Sequence, residues 1–329
     1  MDSSVQLADV RPSRPTRTAS GSRRLVLTLI KCLVSGGLIW WIVRGTNLVA
    51  IFDSLRSANL WLVAMAFSLH LVGFTVSAYR WRLLLRAQGS DASIPFLIKS
   101  YIVGMFFNNF LPSTVGGDAI RAYDSWRAGQ SKAGAVTVVF IDRFLGLLAL
   151  VLFALAALLI PSRLTASLPF LGLWVALGVV GMLMIVWIIF MPPRQVSAAL
   201  GNIKLPFMRK LQSIIDSFAA FRGRKDVLLK ALGWSVLLQA NVVIHYYLIA
   251  VALGLSVPFL SFFLIIPLAI FIMMVPISIN GIGLRETAFV VFLGAFGVTQ
   301  PEAVAFAWVG FGITFLQGVL GGVVYALRK

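Results

Sequence analysis

Charged residues stand inside apolar stretches of this sequence, where a charge requires a partner or a ligand. Asp142 and Arg143 are adjacent within the apolar run 135–160, and Arg285 and Glu286 are adjacent ten residues after another apolar run. Neighbouring residues point about 100° apart on a helix, so neither couple is expected to pair internally. Ionisable groups in apolar segments either line a substrate or ion pathway or lock helices together. We expect substrate contact or gating from these four residues.

Each charge is predicted to find its partner elsewhere in the chain. Asp142 is expected to pair with Arg121 or Arg285, and Glu286 with Arg143 or Arg121. Arginines offer a positive, multi-donor surface suited to an anionic group such as a lipid phosphate. We therefore predict that Arg121, Arg285, Asp142 and Glu286 line one shared cavity.

Two segments place helix-breaking residues just before the arginines. Proline and glycine free backbone N–H and C=O groups, and the helix that restarts presents a partly positive N-terminus. Asp118 is expected to cap the first restarted helix or to contact substrate, and Asn108 and Asn109 either cap freed carbonyls or contact a head group. No catalytic residue, metal site or cofactor is predicted. The candidate residues for substrate binding or gating are Asn108, Asn109, Pro112, Gly116, Gly117, Asp118, Arg121, Asp142, Arg143, Pro276, Asn280, Gly281, Gly283, Arg285 and Glu286.

The composition requires a membrane environment for these residues. Of 329 residues, 60% are hydrophobic and 12% charged, about half the charged fraction of soluble domains. The net charge of +17 could indicate nucleic-acid binding, but most of the basic residues fall in short segments between apolar runs, where they orient a membrane protein. Cys32 is the single cysteine, which excludes an internal disulfide.

Six apolar runs are long enough to cross a bilayer, since a spanning helix needs roughly 20 residues. The runs are 25–43, 60–79, 135–160, 170–191, 231–253 and 303–327. Arg80, Arg82 and Arg86 follow the second run and are assigned to the cytoplasm, together with the basic segment 194–230 and both termini. This orientation requires that segments 94–126 and 259–296 each enter the membrane and return to the same side. The fold class predicted is an all-α polytopic membrane protein with about six spans and two re-entrant helical hairpins.

The chain is expected to form one transmembrane domain, 25–329, after a disordered basic cytoplasmic tail, 1–24. Residues 194–230 are expected to form an amphipathic cytoplasmic connector between two halves, about 25–160 and 170–327. The hairpins of the two halves share proline, glycine and arginine at one spacing: each residue of the first set recurs 164 positions later (Pro112, Gly117 and Arg121; Pro276, Gly281 and Arg285). With three spans in each half, the second half starts on the opposite side, which is an inverted-topology repeat typical of transporters.

The run from Asn108 to Arg121, the sequence Asp-Arg-Phe-Leu-Gly at 142–146 and the run 276–286 resemble the flippase-like family named for the transmembrane region of lysylphosphatidylglycerol synthase. The resemblance covers about 25–329. It implies a multi-pass protein of the bacterial inner membrane, with both termini cytoplasmic, that moves or helps to move a polar lipid between leaflets. The aminoacyl-transfer domain of the synthases is absent from this sequence, so no enzymatic activity is expected.

Three functions remain open on these grounds. The first is a translocase for an anionic or polar lipid. The second is a non-transporting partner of a lipid synthase or glycosyltransferase, docked through segment 194–230. The third is an intramembrane lipid-modifying enzyme using Asp118 and Asp124.

Overall fold

All regular secondary structure in the described part of the chain is helical. The computed structural model describes residues 48–110, 116–168, 170–190, 221, 223–275 and 277–328, and five isolated positions before residue 48. The helices of this part are α1 (Leu48–Arg56), α2 (Leu60–Ala87), α3 (Ile94–Phe110), α4 (Gly116–Arg127), α5 (Lys132–Leu158), α6 (Arg163–Ser167), α7 (Leu171–Phe190), α8 (Lys225–Ala252), α9 (Phe262–Met274), α10 (Leu284–Gly294) and α11 (Gln300–Ala326).

Four of these helices are long and apolar enough to cross a membrane. Helices α2, α5, α8 and α11 have 27 or 28 residues, or about 40 Å at 1.5 Å per residue. Each covers most of one predicted span, and α7 covers most of another. The described positions of the predicted first span, from Val26 to Trp40, are helical. The tail 1–24 and the connector up to residue 220 lie outside the described residues, and 225–230 belong to α8.

The predicted end of the second span was wrong. The run was expected to stop at Tyr79 and to leave Arg80 in a cytoplasmic loop, but α2 continues to Ala87. The side chains of Trp81, Leu84 and Leu85 are fully buried, so the helix continues because its next turns pack into a core. Arg80 is therefore a buried helical residue, 4% exposed.

The two short-helix pairs each fold back on themselves. Helices α3 and α4 run side by side in opposite directions: the Ser100 hydroxyl donates to Asp124 at 2.5 Å, and a Cβ on Gly117 would lie 2.6 Å from the Gly104 carbonyl oxygen. Before α9, Pro258 lines the same small cavity as Phe296 after α10, so that chain segment also returns to the end where it began. The four helices have 11 to 17 residues, or about 16–26 Å.

Helices α2–α5 and α8–α11 follow the same order of lengths: 28, 17, 12 and 27 residues, then 28, 13, 11 and 27. Helices α2 and α8 pack antiparallel. The Asn59 N–H donates to the Ala252 carbonyl at 2.8 Å, and farther along the pair the Asn241 amide donates to the Leu69 carbonyl at 3.1 Å.

Helix α11 packs closely against α3 through its glycines. A Cβ on Gly321 would lie 2.1 Å from the Ile102 carbonyl oxygen, so α3 and α11 touch at backbone level. The Asn109 amide also donates to the Thr314 carbonyl at 2.9 Å. These contacts fix α3, and with it α4, against the long helices.

Candidate functional site

A polar cavity lies among α2, α3, α4, α5, α8 and α9. We call it the central cavity; its volume is about 310 Å³. Asp142 is ten residues into α5, or about 15 Å from the start of that helix, which is half the thickness of a bilayer's hydrocarbon. The polar residues that line the cavity are Ser77, Arg80, Tyr101, Asn108, Asp118, Arg121, Asp142, Arg143 and Gln239.

Asp142 is the hub of the polar network, and both of its carboxylate oxygens accept hydrogen bonds. Oδ1 accepts from Arg80 Nε at 2.6 Å, and Oδ2 accepts from Arg121 Nη2 at 2.7 Å. The Tyr101 hydroxyl donates to Oδ2 at 3.1 Å. Arg80 also donates to the Ser235 hydroxyl at 2.8 Å. One carboxylate therefore joins helices α2, α3, α4, α5 and, through Arg80, α8.

Arg121 is held between aromatic rings and retains an unused donor. Its guanidinium carbon lies 4.7 Å from the Trp81 ring centroid and 4.2 Å from that of Tyr101. This stacking fixes the plane of the guanidinium and adds cation–π attraction. The buried Nε of Arg121 has no hydrogen-bond partner among the described residues.

Asp118 forms a second ion pair at the edge of the cavity. Its carboxylate contacts Arg143 and lies 3.6 Å from Arg121 Nη1. Asp118 is in the first turn of α4, so it also complements the positive helix N-terminus there. Three arginines and two aspartates line the cavity, a formal charge of +1. Such a wall favours an anionic group over a cationic one.

The asparagines stabilise the two chain reversals. The Asn108 side chain accepts from the Gly117 N–H at 2.7 Å and so caps the start of α4. Asn280 donates to Asn109 at 3.4 Å and links the two short-helix pairs. Asn280 itself has a φ of +50°, and both Gly281 and Gly283 also have positive φ. Pro112 and Pro276 lie outside the described residues.

The structure places two of the four residues that were predicted to share one cavity on the wall of the central cavity. Arg121 and Asp142 line the central cavity and pair with each other, but Arg285 and Glu286 are not among its lining residues. Glu286 instead accepts from the Gly283 N–H at 2.7 Å, and its other oxygen lies 3.6 Å from Arg285 Nε. The turn before α10 directs Glu286 back onto its own helix start, away from Arg143 and Arg121.

Sequence reasoning missed Arg80 and Tyr101. Arg80 was assigned to a loop because it follows an apolar run. The available signal was the continuation of apolar residues beyond it, Trp81, Leu84 and Leu85, at helical spacing. Tyr101 carried no comparable signal, because its partner Asp142 is 41 positions away in another helix.

Comparison with known proteins agrees with this architecture. The family model for the lysylphosphatidylglycerol synthase TM region matches residues 28–322. A UPF0104 membrane protein of Methanothermobacter thermautotrophicus is 26% identical over 278 residues, which cover 77% of this chain and 81% of that protein. The residues that match the family model include every helix that lines the central cavity. The chain is therefore a helical membrane protein and belongs to the family of the lysylphosphatidylglycerol synthase transmembrane region.

Proposed function

We propose that this protein is a lipid translocase that moves a lipid with an anionic or polar head group between the leaflets of a bacterial inner membrane. The observation that carries the proposal is the central cavity. It places a net positive polar wall about 15 Å along an apolar helix, and it holds a buried Arg121 donor that has no partner among the described residues. A head group crossing the bilayer needs polar contacts at this depth, where an unmatched charge is costly.

The distribution of basic residues supports an orientation with the C-terminus in the cytoplasm. Arg328, which follows α11, forms two hydrogen bonds with Asp124 near the end of α4, at 2.8 and 2.7 Å. Among the described residues, the basic side chains around this end of the bundle outnumber those at the other end, where Arg56 and Arg163 lie. The basic group consists of Arg82, Arg86, Lys99, Arg127, Lys132, Arg224, Lys225 and Arg328.

In this orientation α3–α4 is a re-entrant hairpin from the cytoplasmic side and α9–α10 one from the outer side. The lengths of these helices, about 16–26 Å, fall short of the roughly 30 Å hydrocarbon. The six spans are then the apolar run 25–43 with α2, α5, α7, α8 and α11.

The helix order supports an inverted repeat. Each helix of α2–α5 has a counterpart in α8–α11, and α2 packs antiparallel on its own counterpart α8. A second pair of contacts obeys the same exchange: α3 packs on α11, and α9, the counterpart of α3, packs on α5, the counterpart of α11. Two half-membrane hairpins facing each other across such a repeat give a polar route with a midpoint, as alternating access requires.

A transport role is favoured over an enzymatic one by the acidic residues. Asp118 and Asp124 are the couple that an enzyme would use, yet each is bound by its own arginine: Arg143 on Asp118 and Arg328 on Asp124. Two carboxylates in separate ion pairs do not form an acid–base couple around one substrate atom. We therefore propose a non-enzymatic protein.

Leaflet exchange in liposomes tests the proposal. Purified protein would be reconstituted with a fluorescent phosphatidylglycerol or a polyprenyl phosphate, and exchange would be followed by quenching of the outer-leaflet label. We expect wild-type protein to accelerate exchange and Arg121→Ala to abolish most of the acceleration. Arg127→Ala is the matched control, because Arg127 is an exposed arginine on the same helix.

Retained exchange in Arg121→Ala, with Arg127→Ala unchanged, would remove the central cavity from the route. Absence of exchange with every anionic lipid tested would refute the translocase. Copurification of a lipid synthase or glycosyltransferase would then become the decisive experiment for a partner role.

A further inference from the structure

We infer that the second half of the molecule contains an anion site at Arg285 that takes a phosphate group. The argument begins with burial. Arg285 is 6% exposed, yet its Nε and Nη2 have no hydrogen-bond partner among the described residues. A buried guanidinium with two unused donors is costly, since charges away from water are normally paired and hydrogen-bonded.

Comparison of the two halves explains why the donors are unused. Arg285 is the counterpart of Arg121, 164 positions later, and each arginine lies over an aromatic ring. Helices α5 and α11 correspond at an offset of 168, from Lys132 to Gln300 and from Leu158 to Ala326. At this offset Asp142 corresponds to Gly310, and Arg143 corresponds to Phe311.

The second half therefore keeps the arginine and lacks the aspartate. The guanidinium carbon of Arg285 lies 4.3 Å from the Phe311 ring centroid, which shows that Arg285 faces the stretch of α11 containing Gly310. In the first half the equivalent stretch of α5 supplies the carboxylate that accepts from Arg121 at 2.7 Å.

Two neighbouring features favour a phosphate as the missing partner. Arg285 is the second residue of α10, an 11-residue helix whose N-terminus favours anions. Ser278, in the turn before this helix, is also buried with a hydroxyl that has no partner among the described residues. Glu286 is the nearest carboxylate, but it accepts from the Gly283 N–H and stays 3.6 Å from Arg285 Nε. A phosphate offers several acceptor oxygens to such donors.

Restoring the missing carboxylate tests the inference. Gly310→Asp would place an acid where the first half has Asp142, and it should pair with Arg285 and exclude the ligand. Gly310→Ala is the matched control, because both substitutions add a Cβ that approaches Tyr246 Cε1 at 3.1 Å. Arg285→Gln, a second variant, removes the cation and keeps a polar side chain.

Thermal unfolding in detergent micelles would be measured with two probes, inorganic phosphate and dodecyl phosphate. Wild type and Gly310→Ala should gain roughly 5 °C in Tm at saturating probe, and Gly310→Asp and Arg285→Gln should gain none. A response to dodecyl phosphate alone would assign the site to a lipid phosphate, and a response to both probes would assign it to phosphate from either source.

No response in wild type, or equal responses in Gly310→Asp and Gly310→Ala, would overturn the inference. The inference rests on the proposed function in one respect only, namely that the phosphate bound at Arg285 belongs to a lipid. The measurement requires no transport, so a protein that binds phosphate at Arg285 without exchanging lipids would refute the translocase and leave this site in place.

Discussion

Removing the charge of Asp142 is the most direct test of the polar network. Asp142→Asn keeps the shape of the side chain and leaves Arg80 and Arg121 buried without their shared carboxylate. The formal charge around the central cavity would rise from +1 to +2. Breaking a buried ion pair by removing one partner costs about 3–5 kcal/mol, so a loss of that size in the free energy of unfolding is expected.

A second substitution separates charge from packing. Arg80→Gln in the Asp142→Asn background returns the formal charge to +1, so the double variant should recover about 2 kcal/mol or more relative to the sum of the single effects. The four proteins of this double-mutant cycle would be compared by denaturation with sodium dodecyl sulfate in mixed micelles. Additive single effects would refute the reasoning, because they would mean that Arg80 and Asp142 contribute independently.

Asp91 provides the matched control for this cycle. It also accepts hydrogen bonds from two arginines, Arg82 at 2.7 Å and Arg86 at 2.9 Å, but all three side chains are at least 30% exposed. Solvent screens exposed ion pairs and makes them weak. Asp91→Asn should therefore change the unfolding transition little, and a large effect there would show that burial is not the deciding factor.

Two further predictions concern the packing of the short helices. Gly321→Ala should destabilise the protein by about 1–3 kcal/mol in the same unfolding assay, because the added Cβ would lie 2.1 Å from the Ile102 carbonyl oxygen. Gly312→Ala on the same helix is the control. Its added Cβ has no atom within 4 Å, so this variant should be neutral or stabilising. With the native cysteine replaced, Asn109→Cys and Asn280→Cys should cross-link through a short bifunctional maleimide, because these side chains meet at 3.4 Å, and failure to cross-link on gel analysis would place the two hairpins apart.

The sequence determined the helical architecture because hydropathy is a local property. Apolar runs of about 20 residues predicted four long helices that the structure contains, and the helix breakers around Gly117 and Gly281 predicted two chain reversals. The pairing of Arg121 with Asp142 was also among the expected partners, since each needed an opposite charge in an apolar setting.

Tertiary structure decided which charges share a cavity. Arg80 was predicted to lie in a loop. Because α2 continues past it into a packed core, its side chain is buried and reaches Asp142, which is 62 positions away in the sequence. Arg285 repeats the motif of Arg121 but lies outside the central cavity. It faces α11, which has Gly310 at the position that corresponds to Asp142. A motif records the residues of one segment, whereas an ion pair between helices depends on the rotation of both, at about 100° per residue.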